Sequence, residues 1–410
     1  MTRPTRLLSA VLAVLAAATA APVPAAAATP PVSFHRWSSP RGFASGTADG
    51  VKHSRAGLRI GTPAGSVERT EPELGTTRRY EFGTWTSPVH RPGFDATQLV
   101  ASWNATTPAG TWLRVEVRGS GRTWFALGDW AAGDQDIIRS SVPGQSDATG
   151  SVDVDTFTAA PGVPLDAYQL RVTLFRAEGT RTTPTLSAVG AMTSAVPDRF
   201  TVPASRPSGV GRELPVPRYS QNVHVGQYPQ YGGGGEAWCS PTSTQMVVEY
   251  WGERPSADDL SWIDPSFADP SVAHAARATY DHDYDGTGNW PFNTAYAATY
   301  GLKAHVTRLK SLTELESYIA RGIPVITSQS FLESELDGAG YGTAGHLMTV
   351  IGFTPEGDVI ANDPASPTNE AVRRVYQRAQ FETIWLRTKR HTASGAVASG
   401  SGGIAYIISR

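Results

Sequence analysis

Gly232-Gly-Gly-Gly-Glu-Ala-Trp238-Cys239-Ser240-Pro241-Thr-Ser-Thr-Gln-Met246-Val-Val-Glu-Tyr250-Trp251-Gly252 carries the only cysteine in 410 residues and places it where a helix should begin. Ser240 suits an N-cap, Pro241 suits the first helical position where its missing N–H costs nothing, and Gly252 is a natural stop, so the pattern predicts a helix from Pro241 to Trp251. Met246, Val247, Tyr250 and Trp251 recur at helical spacing and predict one packed apolar face. A thiol just before such an end meets unpaired backbone N–H groups and the positive end of the helix dipole. Sites of this kind lower a cysteine pKa from about 8.5 to roughly 3.5–7.5.

A lone cysteine most often packs as a small apolar side chain. Here a glycine run leads in and a helix start follows at once, which favours a nucleophile. The address agrees. Arg3 and Arg6 precede an apolar run from Leu7 to Ala21, then Pro22, Pro24 and an alanine-rich site ending near Ala28, the pattern of a secretory signal peptide over residues 1–28. The expectation is an exported, extracellular protein with no membrane span, because no later segment reaches about 18 apolar residues. One cysteine forms no internal disulfide, so the thiol stays free. A net charge of −2, with 40% hydrophobic and 18% charged residues, describes an ordinary globular chain with no basic field for nucleic acid.

Residues 29–196 read as short strands separated by Gly, Pro and Asp turns, among them Leu99–Asn104, Trp112–Arg118 and Tyr168–Phe175. Leu113, Val115 and Val117 alternate with Arg114, Glu116 and Arg118, one face in and one out. The expected fold is an antiparallel all-β sandwich, jelly-roll-like, without chemistry of its own: His35, His53 and His90 have no cysteine or acidic cluster beside them. Six of the eleven tryptophans lie in this half. They either fill its core or stand exposed to stack on a polysaccharide or cell-surface polymer. Residues 197–213 have the proline-rich composition of a semi-rigid linker between independently folding halves.

Residues 214–410 mix helix and strand in an α+β order. Ser311-Leu-Thr-Glu314 resembles a capping box that opens a helix ending near Arg321, and His346–Phe353 with Asp358–Asn362 reads as a hairpin around Pro355-Glu-Gly357. Residues 261–289 read as an irregular loop. Thiol chemistry needs a base, a group to orient it and donors for the oxyanion. His346 follows the glycine-rich loop Gly340-Tyr-Gly-Thr-Ala-Gly345 at a strand mouth and is the candidate base. Asp363, at the end of the returning strand, is the candidate orienting group, with Asn362 as second choice on the opposite face. A two-residue turn at Glu356-Gly357 would leave Asp363 opposite Val350, about 13 Å along the strand from His346 at ~3.3 Å per residue. A bulge or a shifted turn is therefore required. Gln221 offers an amide donor for an oxyanion.

The order glutamine, cysteine, histidine, acid is that of papain-like enzymes. Val216-Pro-Arg-Tyr-Ser-Gln221, Trp238-Cys-Ser-Pro-Thr-Ser243, Gly322-Ile-Pro-Val-Ile326, Gly345-His-Leu-Met-Thr-Val-Ile-Gly-Phe353 and Asn362-Asp-Pro364 together resemble the bacteriocin-processing, double-glycine-leader peptidase family and its secreted relatives. The resemblance runs from about Leu214 to Ile408. It implies a papain-like fold and a cysteine peptidase in which Cys239 is nucleophile, His346 base, Asp363 orienting group and Gln221 oxyanion donor. Gln221 lies farther before the cysteine than the family's usual spacing, so Gln227 and Gln230 remain alternatives for that role, and Ser240 stands where glycine is frequent. The resemblance implies a polypeptide or cell-wall peptide substrate, hydrolysed through a thioester without cofactor or metal. Peptidoglycan amidase or endopeptidase activity, transglutaminase-like acyl transfer and non-catalytic binding are the rival readings. Asp281-His-Asp283-Tyr-Asp285-Gly286 opens like a calcium loop but has Phe292 where such a loop carries glutamate, so it reads either as a calcium site or as a turn over the cleft.

Overall fold

The computed structural model describes residues 31–38 and 41–410; the signal-peptide expectation for residues 1–28 lies outside them. The chain builds two units, a mostly-β N-terminal one and a C-terminal one of helices and sheet. In the first, an eight-stranded and a six-stranded sheet, antiparallel throughout, share one core. Alternation decides which side chains enter it. In the strand Thr111–Arg118, Leu113, Val115 and Val117 are buried in the shared core, while Glu116 on the other face takes a two-pronged pair from Arg171 at 2.6 Å. The tryptophans are structural. Trp37, Trp85, Trp103, Trp112 and Trp130 are buried, and Trp124 has Arg118 and Arg171 over its ring.

The C-terminal unit is a six-stranded antiparallel sheet ordered Lys303–Arg308, Ile404–Ser409, Val325–Phe331, Thr343–Phe353, Val359–Asn362, Arg373–Tyr376. Helices Leu312–Ala320 and Arg378–Leu386 share one apolar cluster with it, and the helix Cys239–Tyr250 joins a second. Ser311 caps Leu312–Ala320 by accepting from the Glu314 N–H at 3.0 Å, but the Glu314 carboxylate reaches back to the Lys310 N–H and not to the cap residue, so half of the expected box forms. Residues 261–289 are not one irregular loop, because Pro270–Thr279 is a helix inside them. Asp269-Pro270 has the composition of a helix start, but Asp269 stands at φ 44° and makes no side-chain cap hydrogen bond.

The halves are not independent. Phe292 and Ala295 of the helix Trp290–Thr299 lie in the sandwich core, and Val100 and Met192 of the sandwich pack with Leu302, Ala304 and Val306. Gly128 permits this approach, since a Cβ there would stand 2.8 Å from the Phe292 ring. Polar ties cross the same boundary: Asn104 Nδ2 donates to the Ala304 carbonyl at 2.8 Å, the Val306 N–H to Ser102 Oγ at 2.8 Å, and Arg277 forks onto Asp134 at 2.7 and 2.8 Å. The segment 197–213 is a strap and not a spacer. The Ser205 N–H donates to Glu382 and the Ser208 N–H to Glu316, each at 2.7 Å, and Glu213 bridges to Gly352 on the sheet. Proline stiffness holds this segment extended while the C-terminal unit takes its backbone groups. Among the described residues no helix is long and apolar enough to cross a membrane.

Candidate functional site

The glycine run Gly232–Gly234 has φ of 71°, 97° and 117°, values that side chains resist. It feeds the tight turn Gly235–Ala237, where Gly235 lies so close to His224 that a Cβ would meet its backbone at 2.3 Å. The helix then begins two residues earlier than its sequence suggests. Cys239 is its first residue, Trp238 is the cap position without a side-chain cap bond, and Ser240 turns inward to Tyr406 Oη at 2.9 Å. The single apolar face also needs correcting, because residues Ser240 to Val248 are buried all round. Side-chain hydrogen bonds hold this polar helix in place: Ser243 Oγ to the Leu347 carbonyl at 3.2 Å, Thr349 Oγ1 to the Ser243 carbonyl at 3.3 Å, and Tyr296 Oη to Gln245 at 2.7 Å. Cys239 itself is only partly buried.

His346 arrives on the strand Thr343–Phe353, which pairs Thr349 with Asn362 and Val350 with Ala361, then skips a residue so that Gly352 faces Ile360. The bulge at Ile351 moves the register by one residue, and the turn closing Thr354 onto Asp358 moves it by another. Together they bring Asp363 two residues closer to His346 than the simple hairpin predicts. Asp363 Oδ1 lies 2.8 Å from His346 Nε2. Asn362, one residue back, faces the other way and donates to the Pro217 carbonyl at 2.9 Å. With Nε2 held by the acid, the imidazole stands close enough to the Cys239 thiol for each to shift the other's ionisation.

The electrostatics of the three groups are mutual. Burial opposes ionisation of the Cys239 thiol, but the hydrogen bond and charge of His346, with the Leu347 and Ser240 N–H groups, outweigh it and lower the pKa. Burial would discharge His346, yet Asp363 first and Cys239 second raise its pKa. Burial likewise works against the Asp363 carboxylate, and His346, Tyr376 and Tyr341 keep it below the ordinary carboxyl range. The two tyrosines are functional neighbours that sequence reasoning missed: Tyr376 Oη donates to Asp363 Oδ2 at 2.7 Å and Tyr341 Oη at 2.9 Å. Tyr341 stands inside the glycine-rich loop already singled out; Tyr376 comes from the edge strand, with no local signal.

Gln221 opens a short turn whose backbone is tied to the segment after Asp363, its N–H donating to the Pro364 carbonyl at 2.8 Å. Its Nε2 donates to the Glu236 carbonyl at 2.7 Å, fixing the amide beside the turn that leads to Cys239. Gln221, Cys239 and His346 line one cleft of about 970 Å³. Of the alternatives, Gln227 is occupied with His224 Nδ1 at 3.0 Å and the Val223 carbonyl at 3.3 Å, and Gln230 is exposed; neither lines that cleft.

Residues 33–194 match the family model described as peptidase C39 N-terminal domain, and residues 213–393 match that of the peptidase C39 like family. The chain belongs to the C39-like peptidases. A crystal structure described as a C39-like peptidase from Bacillus anthracis is similar to this chain at 18% identity, covering 48% of this chain and 98% of its own, with a TM-score of 0.30. No curated protein matches.

In this C39-like chain the Asp281–Gly286 segment is a wall and not a calcium loop. Asp281 is buried and accepts from the Ser141 N–H and from Asn289 Nδ2, both at 2.8 Å, whereas Asp285 accepts from Tyr280 Oη at 2.7 Å and Asp283 is exposed. The three carboxylates do not converge, and among the described residues no group of three or more ligating side chains is placed to hold a metal. Tyr284 to Gly288 instead line the cleft beside Cys239.

Proposed function

We propose that this protein is a secreted cysteine peptidase that hydrolyses peptide bonds through a thioester on Cys239. The observation that carries the reading is His346 held between Asp363 and the thiol at the wall of a cleft, with both ends of the relay pulled towards their charged forms. The Cys239 thiolate attacks the scissile carbonyl carbon, and the C–O π pair moves onto oxygen. The Gln221 amide and the Cys239 N–H receive that oxyanion, since preorganised donors act where charge develops. As the C–N bond breaks, protonated His346 gives its proton to the departing amine and an acyl thioester remains. Neutral His346 then takes a proton from water, hydroxide attacks the thioester, and the carboxylic acid leaves as Cys239 is restored. Asp363, steadied by Tyr341 and Tyr376, holds the imidazole in the tautomer both steps need. Export rests on the charged, apolar and alanine-rich character of residues 1–28.

The test is a mass-spectrometric search for peptide acyl groups on Cys239 during rapid-quench incubation with a peptide mixture. The expected result is adducts on Cys239 that turn over in the native enzyme and never form in Cys239→Ser. Free-amine incorporation in place of hydrolysis would favour acyl transfer, and the absence of both adducts and cleavage would overturn the reading.

A further inference from the structure

The cleft at Cys239 does not end at the C-terminal unit. Its wall of Tyr284, Gly288, Trp290 and the backbone of Ser399–Ser401 is also the near wall of a second groove of about 580 Å³, whose far wall belongs to the β unit. That wall includes Asp153, at the tip of the hairpin formed by strands Gly150–Asp153 and Thr156–Ala159, together with Thr156 and Thr158. The hairpin is seated against the C-terminal unit: buried Asp155 accepts from the Trp290 N–H at 2.8 Å, at the start of the helix Trp290–Thr299. Gly288 and Gly400 keep the saddle between the two grooves low, and Tyr284 leaves its ring about half exposed there.

The charges along the second groove are unequal in availability. Arg308 is spent on the Ser401 and Gly402 carbonyls and on Gln98, and Lys389 faces Asp198 at 3.6 Å. Asp153 is exposed and has no ion pair among the described residues. A continuous trough with a low aromatic saddle, hydroxyls on one bank and one free carboxylate fits an extended chain better than a compact ligand, because extended backbone exposes a donor and an acceptor at each residue.

We propose that the two grooves form one binding site for an extended polypeptide, which runs from Cys239 across the Tyr284–Trp290 saddle onto the β unit, where Asp153 receives a basic side chain. The β unit is then half of the substrate site, and this explains why it is locked to the C-terminal unit. The proposal rests on the peptidase reading for where the chain is cut, and on the groove alone for where it binds.

The experiment digests a proteome-derived peptide library with the full native chain, with Asp153→Lys and with Thr158→Trp, and in parallel collects library peptides retained by immobilised Cys239→Ala and by its Asp153→Lys double variant. Both wall substitutions are at exposed positions, and alkylation of Cys239 checks that the site is intact. The expected profile has Lys or Arg enriched at a fixed distance several residues from the cut. That enrichment should invert to Asp or Glu in Asp153→Lys, and Thr158→Trp should cut the rate on long peptides about tenfold, a far larger loss than on dipeptide and tripeptide amides. Retention on Cys239→Ala should show the same charge preference, so retained peptides that the native chain fails to cut would contradict the peptidase reading and leave the groove standing. A cleavage profile confined to residues beside the cut and identical in all variants would overturn the proposal. So would processing of short cell-wall stem peptides only, or no charge preference among retained peptides.

Discussion

Asp363 is the most heavily supported side chain of the site: His346, Tyr341, Tyr376 and the Ala365 N–H all reach its two oxygens. Burial and the carboxylate push both tyrosine hydroxyls far above their usual range, so they remain donors. Hydrogen bonds to a charged group contribute about 1.5–3 kcal/mol each, so Tyr376→Phe should lower unfolding free energy by about that much, read from denaturant melts. The same variant should move the thiol's alkylation inflection upward, because a less supported carboxylate supports the imidazolium less. Graded losses should follow the roles. Cys239→Ala and His346→Ala should abolish turnover, Asp363→Asn should retain a measurable rate and Asp363→Ala less, and Gln221→Ala should cost about 10²–10³ in kcat with little change in KM. Equal and mild effects from all four, with the fold intact, would mean a binding surface. Cys239, His346, Asp363 and Gln221 each sit in a short motif, which is why the sequence offers them as candidates. The tyrosines are not legible in this way, because a hydroxyl is assigned to a carboxylate only by a fold that brings strands from either side of it together.

At the scale of the element, the hairpin's bulge decides whether the relay exists. Sequence spacing alone left Asp363 too far along the strand, and only the skipped residue at Ile351 and the offset turn close that gap. Bulges re-aim strands near functional sites, and their position depends on what docks against them. Here the docking partner is the strap, which lies so close to Gly352 that a Cβ would stand 2.3 Å from the Arg212 carbonyl oxygen. Gly352→Ala should therefore push the strap away or shift the bulge, at a cost of about 1–3 kcal/mol typical of overpacking, with activity falling further than stability. Comparing melts with turnover checks this, and a variant with native stability and native rate would contradict it. The same logic explains the misread helix start: Ser240 has the composition of a cap, but Tyr406 from the last strand claims its hydroxyl, a tertiary choice that no local propensity records.

For the whole molecule, the boundary between the units is a core and not a hinge. Residues 205 to 410 expressed alone would expose Phe292, Leu302, Ala304 and Val306, now buried against the sandwich, and should aggregate; a soluble monomer with a reactive thiol would contradict this. Composition sets the proline-rich segment apart but gives no sign that helix Trp290–Thr299 packs into the other unit's core, since a buried apolar face looks alike whichever unit covers it. The boundary also carries a pH dependence. His305 stacks on Phe34 at 4.1 Å between ring centres, and burial, helped by Arg36, lowers its pKa from 6.5 to about 4. Between those values the unfolded chain binds a proton that the native protein does not, so stability is complete above about 6.5 and is lost as pH falls towards 4. Between melts of the native chain and of His305→Phe the stability difference should be constant above about pH 6.5 and shift in the variant's favour as pH falls towards 4, and parallel curves throughout would show that His305 carries no such dependence.

The rate of iodoacetamide alkylation of Cys239 as a function of pH, compared in the native protein, in His346→Ala and in the denatured chain, reads directly whether the imidazole ionises the thiol. The native inflection should lie well below that of the denatured thiol, and should shift back towards or above it in His346→Ala, where burial acts without the imidazolium. A native inflection equal to that of the denatured chain, unmoved by loss of His346, would contradict this.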